Sequence, residues 1–185
     1  MSIKILELRA LRGQNQFSRY PTIYMELDIG EFESLPSNKV PGLKKRIVNL
    51  IPTLKEHRCS RGYEGGFLER VKEGTWAGHI VEHVAIELQC LTKLEVGFGK
   101  TIDTDTVGIY RVVYRYRDEA VGLKAGEMAV EIVESLFTGK DYDIQGKILE
   151  LKKIRDRYLF GLTTQSIVDE AKKRGIPFIL SLIHI

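Results

Sequence analysis

Two histidines one helical turn apart carry the clearest chemical signal in the sequence. His79 and His83 enclose Ile80, Val81 and Glu82 in the order HxxEH, a spacing typical of the inverted zinc-peptidase motif. Histidines at i and i+4 lie one above the other on a helix face, so two imidazole nitrogens can reach one ion. Glu82 lies beside the second histidine and can act as a general base towards water. The motif therefore predicts a zinc site with His79 and His83 as ligands and Glu82 as the catalytic residue.

A catalytic zinc ion needs a third protein ligand, which this motif does not supply. Our first choice is Glu131, a carboxylate in the next predicted helix. Glu127 on the same helix face and Glu64 in a glycine-rich loop are alternatives, and Cys90 is a weaker one. The face that carries Glu127 and Glu131 lies opposite the apolar stripe of its helix, so a solvated acidic face competes with metal binding as its explanation.

A second set of residues has the chemistry of a binding surface for carboxylates. Arg111 and Arg115 share one face of a predicted strand, and tyrosines occupy the other. A row of arginines can hold carboxylates bidentately, whereas ordinary cross-strand pairs on an exposed sheet face are the competing interpretation. Tyr63, in the glycine-rich loop, is the third residue that we assign to this binding role.

The elements that must position these residues follow from the hydrophobic pattern. Segments rich in β-branched or aromatic residues, or with apolar residues on both faces, predict strands, and 3.6-residue periodicity predicts helices. Thr75 can cap the predicted helix at about 75–92. The segment 59–74 has four glycines in 16 residues, which favours turns over a regular element. Strands and helices mix without a βαβ rhythm, so we expect an α+β fold, a mostly antiparallel sheet with helices on one face and HxxEH on a central helix. The predicted strands are 3–9, 22–28 and 107–116, and the predicted helices are about 42–50, 75–92, 119–138 and 144–157.

The composition excludes several classes of protein. The 185 residues include 28 Lys and Arg against 25 Asp and Glu, with 43% hydrophobic residues and two cysteines, which is typical of a folded globular protein without a disulfide framework. The formal charge of +3 is too small and too evenly spread to favour nucleic acid. The sequence contains neither the apolar run of a membrane span nor that of a signal peptide, so we expect a cytoplasmic protein without a membrane partner.

Several separate motifs together resemble the amino-terminal domain of cyanophycin synthetases. The resemblance covers residues 1 to about 179, in order and without large gaps. The segments that carry it are Leu11-Arg12-Gly13, Pro36-Ser37-Asn38, and residues 59–67, 73–76, 78–89 and 96–101.

The resemblance implies a function for the whole protein and for this part of it. Members of the family polymerise aspartate and arginine with ATP into cyanophycin, multi-arginyl-poly-aspartate, using an ATP-grasp domain and a Mur-ligase-like domain that require ATP and Mg. Their amino-terminal domain holds the polymer, and in some members it is thought to cut polymer into primers at a metallopeptidase-like site, which corresponds here to His79, Glu82 and His83. We also expect a homo-oligomer when full length. The alternative is a non-catalytic polymer-binding or interaction module in which HxxEH is accidental.

The resemblance also divides the chain. Residues 1–160 correspond to the amino-terminal domain, and 161–179 resemble the lead-in to the ATP-grasp domain, with a helix followed by the start of a strand. Residues 180–185 depart from the family pattern and resemble a translated sequencing adaptor, so we expect a non-native tail and leave His184 out of the site. We therefore expect a chain truncated just inside the ATP-grasp domain.

Overall fold

The computed structural model describes residues 2–158 and 162–177. This part of the chain forms four strands and six α-helices, together with short 3₁₀ turns, which confirms the α+β class. In chain order, the elements are β1 (Lys4–Leu11), β2 (Thr22–Asp28), α1 (Leu43–Leu50), α2 (Gly66–Glu73), α3 (Ala77–Cys90), β3 (Gly99–Asp103), β4 (Ile109–Arg115), α4 (Glu119–Thr138), α5 (Ile144–Tyr158) and α6 (Leu162–Lys173).

The strands form one antiparallel sheet in the order β1-β2-β4-β3. Register pairs Met25 of β2 with Val112 of β4, and Val112 with Thr101 of β3. Because side chains alternate along a strand, these residues share the inner face of the sheet, where Met25 and Val112 are fully buried. The helix α3 packs on β3 and β4, and α4 packs on β1 and β2. The HxxEH motif therefore lies on a helix that the sheet holds directly.

A glycine lets α4 approach the sheet closely. A Cβ atom at Gly122 would lie 2.8 Å from Cβ of Tyr116 and 3.1 Å from Cγ1 of Ile23, so a larger residue would push the helix away. The hydroxyl of Tyr114 donates a 3.0 Å hydrogen bond to the Gly122 carbonyl. Asp118 caps the helix by accepting from the amide of Val121 at 2.9 Å.

The sequence predictions for the elements need three corrections. The strand β3 was not predicted, because its five residues, Gly-Lys-Thr-Ile-Asp, are short and largely polar. The helix α2 forms inside the segment that we expected to be irregular. Three of the four glycines of this segment lie at or before the start of the helix, and Gly74 follows its end. Thr75 does not cap α3, which begins after Trp76 without a side-chain cap, because the Thr75 hydroxyl contacts His79 instead.

The remaining expectations concern the end of the chain and membranes. The helix predicted after residue 161 is present as α6, whereas the tail at 180–185 lies outside the described residues. No helix in the part of the chain that the structure describes combines the length and apolarity needed to cross a membrane.

Candidate metal centre

A cavity of about 650 Å³ lies beside the HxxEH motif. Its walls come from α2 together with the loop before it, from α3, and from the approach to β3 together with the start of that strand. Its lining includes His57, Cys59, His79, Glu82 and His83. Three segments that are distant in sequence thus place polar side chains around one cavity, an arrangement typical of small-molecule binding sites and catalytic sites.

Cys59 and His79 meet across this cavity. The Cys59 Sγ atom lies 3.2 Å from His79 Nε2, and the other ring nitrogen, Nδ1, lies 3.0 Å from the Thr75 hydroxyl. Cys59 has a φ of 56°, a left-handed conformation that is uncommon for residues other than glycine. The loop that contains Cys59 packs closely against the start of α2: a Cβ atom at Gly66 would collide with the carbonyl oxygen of Arg58. The fold thus fixes the thiol against the first histidine.

His83 lies deeper than His79 and has one nitrogen without a partner. Its ring stacks on Phe67 with the centroids 4.2 Å apart. Its Nδ1 atom lies 2.9 Å from Nδ1 of His57, and its Nε2 atom is buried with no hydrogen-bond partner among the described residues. A buried polar atom without a hydrogen-bond partner is energetically unfavourable, so this nitrogen is suited to binding a metal ion or another ligand. Burial lowers the pKa of His83 well below its usual value, and the nearby histidines add to the effect.

The general base predicted by the motif is buried beside this nitrogen. Glu82 is 5% exposed, and its Oε1 atom lies 4.0 Å from His83 Nε2. The Thr101 hydroxyl donates a 2.6 Å hydrogen bond to Oε2. Burial raises the pKa of Glu82 to about 7, against the opposing effect of the Thr101 hydrogen bond. The carboxyl can therefore gain and lose a proton near neutral pH.

The two histidines and the cysteine form a donor set for a metal ion. The ligand atoms that Cys59, His79 and His83 offer all lie within 4.8 Å of one another. One thiolate and two imidazoles are donors that Zn²⁺ prefers, and three protein ligands with an open fourth position are typical of catalytic zinc. The unpartnered Nε2 of His83 belongs to this set. Burial also lowers the pKa of His79 to about 4, so this imidazole is neutral, as a ligand must be. The residues present therefore fit zinc.

The third ligand that we chose from the sequence lies elsewhere, which corrects that choice. Glu131 accepts a 2.7 Å hydrogen bond from the Tyr142 hydroxyl, pairs with Lys147 at 3.4 Å, and is absent from the cavity lining. It belongs to the exposed face of α4, as the competing interpretation predicted, because the apolar stripe of α4 faces the core. The weaker alternative, Cys90, donates to the Val96 carbonyl and is not a member of the donor set.

Sequence reasoning missed two residues of the site, Cys59 and His57. Both precede α3 by about 20 residues or more, and no fixed spacing connects them to HxxEH. The available signal was the glycine-rich loop that begins at Cys59, because clustered glycines permit close backbone approach.

The residues assigned to polymer binding lie in two places. Arg111 is exposed on the outer face of β4 and contacts Glu26 at 3.4 Å. Arg115, four residues further on, lies over the ring of Tyr20 at 3.8 Å from its centroid. Tyr63 lies in the loop before α2, where its hydroxyl bonds Glu69. The structure therefore brings the two arginines to one sheet face and leaves Tyr63 on a separate loop.

The cavity also carries positive charge. Arg58, Arg70 and Lys100 line it, and Arg70 donates to the Ser60 hydroxyl at 3.3 Å. In the described part of the chain, no carboxylate forms an ion pair with any of these three cations. A cavity lined by three cations is suited to an anionic ligand.

The fold and the donor set define an α+β domain with a candidate metal centre. Comparison with known proteins identifies the family. The family model described as cyanophycin synthase-like N-terminal domain matches residues 23–138, and the chain belongs to this family. It is 46% identical over 181 residues to the cyanophycin synthetase of Crocosphaera subtropica, with 95% of this chain and 21% of the relative covered. The cyanophycin synthetases of Synechocystis sp. and Geminocystis herdmanii are 45% and 44% identical over 183 residues, with 96% of this chain and 21% of each relative covered. The chain thus spans about a fifth of the length of these relatives.

Proposed function

We propose that this domain docks cyanophycin and hydrolyses it to short primers at a zinc centre held by Cys59, His79 and His83. One observation carries the proposal: the buried, unpartnered Nε2 of His83 lies in a three-donor cluster, with a buried carboxyl, Glu82, 4.0 Å away. Family membership supports the same function. The family resemblance implies an amino-terminal domain that holds polymer and, in some members, contains a metallopeptidase-like site. Cys59 replaces Glu131 as the third ligand.

The residues of the chain divide the work between holding the ion and moving a proton. When bound, zinc supplies Lewis acidity, which makes water a better nucleophile and polarises a carbonyl. Glu82 takes a proton from the water whose oxygen adds to the amide carbon, and it returns a proton to the leaving nitrogen as the C–N bond breaks. A carboxyl with a pKa raised to about 7 by burial is suited to both transfers.

The charge of the cavity supports a substrate that carries free carboxylates. Arg58, Arg70 and Lys100 line the same space as Glu82, and arginine binds carboxylates bidentately. The proposed polymer presents free carboxylates together with guanidinium groups. We assign the carboxylates to these cations, and we expect the guanidinium groups to face away from them, because like charges repel.

The outer face of the sheet supports a docking path that leads to the cavity. Lys100 of the edge strand β3 pairs in register with Val113, which lies between Arg111 and Arg115 on β4. Side chains two residues apart share a face, so Lys100 and both arginines lie on one surface. Lys100 also lines the cavity. We propose that polymer crosses Arg111 and Arg115 and passes Lys100 into the cavity, with Tyr63 as a second contact.

For the whole protein, we propose an ATP- and Mg-dependent ligase that joins aspartate and arginine. The relatives are named cyanophycin synthetases, and this chain matches about a fifth of each. In this assignment, residues 1–160 are the polymer-docking domain and 161–179 begin the ATP-grasp domain. The ligase chemistry belongs to the parts of the relatives that this chain does not match.

The hydrolase proposal is tested by incubating the purified chain with insoluble cyanophycin and measuring the soluble peptides released. We expect release from the wild type, and we expect its loss on adding a chelator or in Glu82→Gln, which keeps the shape of the side chain and removes its basicity. Glu131→Gln is the matched control, because that carboxylate lies on an exposed face away from the cavity, and it should retain release.

Two outcomes would contradict the zinc mechanism. Release that survives both the chelator and Glu82→Gln would show that neither metal nor this carboxyl is needed. Polymer binding without release in the zinc-loaded wild type would leave a docking module in which HxxEH is accidental.

A further inference from the structure

Behind His83 lies a buried row of polar side chains that the proposed hydrolysis does not use. Nδ1 of His83 contacts Nδ1 of His57 at 2.9 Å, and Nε2 of His57 contacts Oε2 of Glu87 at 2.7 Å. The hydroxyl of Thr53 donates to the other carboxylate oxygen, Oε1. Glu87 is 6% exposed and lies one helical turn beyond His83 on α3. A buried carboxylate in this position needs a reason, because burying a charge is costly unless it is hydrogen-bonded.

The direction of each hydrogen bond follows from the carboxylate. An ionised carboxylate only accepts, so His57 donates through Nε2–H to Glu87. A neutral imidazole has one donor and one acceptor, so Nδ1 of His57 must then accept, and Nδ1–H of His83 is the donor. His83 consequently carries its proton on Nδ1 and a lone pair on Nε2. This is the same Nε2 atom that is buried without a partner at the donor set.

We infer that Glu87 and His57 are positioning residues that hold His83 in the Nδ1–H tautomer, with the Nε2 lone pair available to the ion. The inference rests on the proposed metal centre for its purpose, but the tautomer follows from the hydrogen-bond row itself. Residues that orient a ligating histidine in this way commonly change metal affinity by about 10- to 100-fold when altered. His79 has no such row behind it, because its Nδ1 contacts the Thr75 hydroxyl, which can donate or accept.

The experiment is nitrogen-15 NMR of histidine side chains in the metal-free chain at pH 8, which distinguishes protonated from unprotonated ring nitrogens. His83→Asn assigns the signals. We expect His83 of the wild type to show Nδ1 protonated and Nε2 unprotonated. In Glu87→Gln, an amide that can donate or accept replaces an obligate acceptor, and we expect a mixture in which the Nε2–H form of His83 is populated.

A second measurement is zinc affinity, obtained by competition with a chromophoric chelator. Glu87→Gln should bind zinc about 10- to 100-fold more weakly. Thr53→Val is the matched control, because it removes a hydrogen bond to the same carboxylate and leaves its charge and its contact with His57. It should keep the wild-type tautomer.

The two proposals fail in different ways. Nε2–H on His83 in the wild type, as a doubly protonated His57 would impose, overturns the positioning role even if zinc binds. An unchanged tautomer and unchanged zinc affinity in Glu87→Gln overturn it as well. A wild-type chain that shows the expected tautomer but binds no zinc instead contradicts the metal centre. The wild-type spectrum decides the tautomer even if Glu87→Gln does not fold.

Discussion

At the scale of single residues, burial determines the charge states at the candidate metal centre. Glu82 and His79 lie in the same cavity wall, and burial moves their pKa values in opposite directions, to about 7 and about 4. Both shifts favour the uncharged form of the group, because a low-dielectric environment penalises charge. The metal-free site thus consists of neutral imidazoles beside a carboxyl that titrates near pH 7.

The raised pKa of Glu82 predicts how stability depends on pH. The folded state holds a proton on Glu82 between the ordinary pKa of 4.5 and about 7, whereas the unfolded state releases it. The contribution of the protonated Glu82 to the free energy of unfolding is present in full below pH 4.5 and is lost as the pH rises to about 7. It amounts to roughly 3 kcal/mol at most. Glu82→Gln removes it. In chelator-treated protein, the free energy of unfolding of the variant relative to the wild type should therefore rise across this window.

The measurement is urea unfolding of the wild type and of Glu82→Gln at pH values from 4 to 8. Glu131→Gln, measured in the same way, is the control. His79 contributes with the opposite sign, because its lowered pKa adds stability as the pH rises from about 4 to 6.5. This contribution cancels in the comparison of the wild type with Glu82→Gln. A difference between the two proteins that does not change with pH would contradict the buried, protonated Glu82.

The two cysteines predict different effects on metal binding. Cys59→Ser removes a member of the donor set and should weaken zinc binding at least about tenfold, because a ligand should matter no less than a residue that orients one. Cys90→Ser is the matched control, since that thiol is also half-buried but bonds the Val96 carbonyl. The measurement is competition with a chromophoric chelator, and equal affinities in the two variants would contradict the assignment of Cys59.

At the scale of elements, the short strand β3 completes the site that α3 begins. Thr101 of β3 donates to Glu82, and the strand comes so close to α3 that a Cβ atom at Gly99 would lie 2.5 Å from Oε1 of Glu82 and 2.6 Å from its Cγ. The orientation of Glu82 therefore depends on a glycine in a neighbouring element.

This contact predicts a loss of activity from one added methyl group. Gly99→Ala should displace the Glu82 side chain and lower the rate of peptide release from cyanophycin by about tenfold or more, because proton transfer requires a positioned group. Gly97→Ala is the matched control, since a Cβ atom there has nothing within 4 Å. The measurement compares release rates of the two variants after circular dichroism has shown that both are folded. Equal rates would contradict the placement of Glu82 against β3.

The elements also show which parts of the structure the sequence could predict. The long helices and the strands β1, β2 and β4 have clear periodicity, so their existence and the α+β class could be predicted. HxxEH is a local spacing, and His79, Glu82 and His83 could be predicted for the same reason. Cys59 and His57 reach the site through loops, and their positions depend on tertiary packing around α2, which no local pattern encodes.

At the scale of the whole molecule, the sheet separates two surfaces that the proposed function needs. The inner face supports α3 and α4, and the outer face carries Arg111 and Arg115. Lys100 at the edge belongs to the outer face and also lines the cavity. In the proposed function, a polymer bound on the outer face reaches the candidate metal centre by crossing one edge strand.

This arrangement predicts that docking can be weakened by changing the outer face alone. The double variant Arg111→Ala and Arg115→Ala should sediment with insoluble cyanophycin several-fold less than the wild type, because two carboxylate-binding groups are lost. Lys44→Ala with Lys45→Ala is the control of equal charge, since both lysines are exposed on α1. Equal losses in the two double variants would indicate that net charge, and not this face, determines docking.

X-ray absorption spectroscopy of the zinc-loaded chain tests most directly the proposal that Cys59, His79 and His83 bind one zinc ion. We expect one zinc ion per chain, with one sulfur neighbour at about 2.3 Å and two imidazole nitrogens at about 2.0 to 2.1 Å. The sulfur signal should disappear in Cys59→Ser and remain in Cys90→Ser. A spectrum without sulfur, or a chain that retains no zinc, would contradict this metal centre.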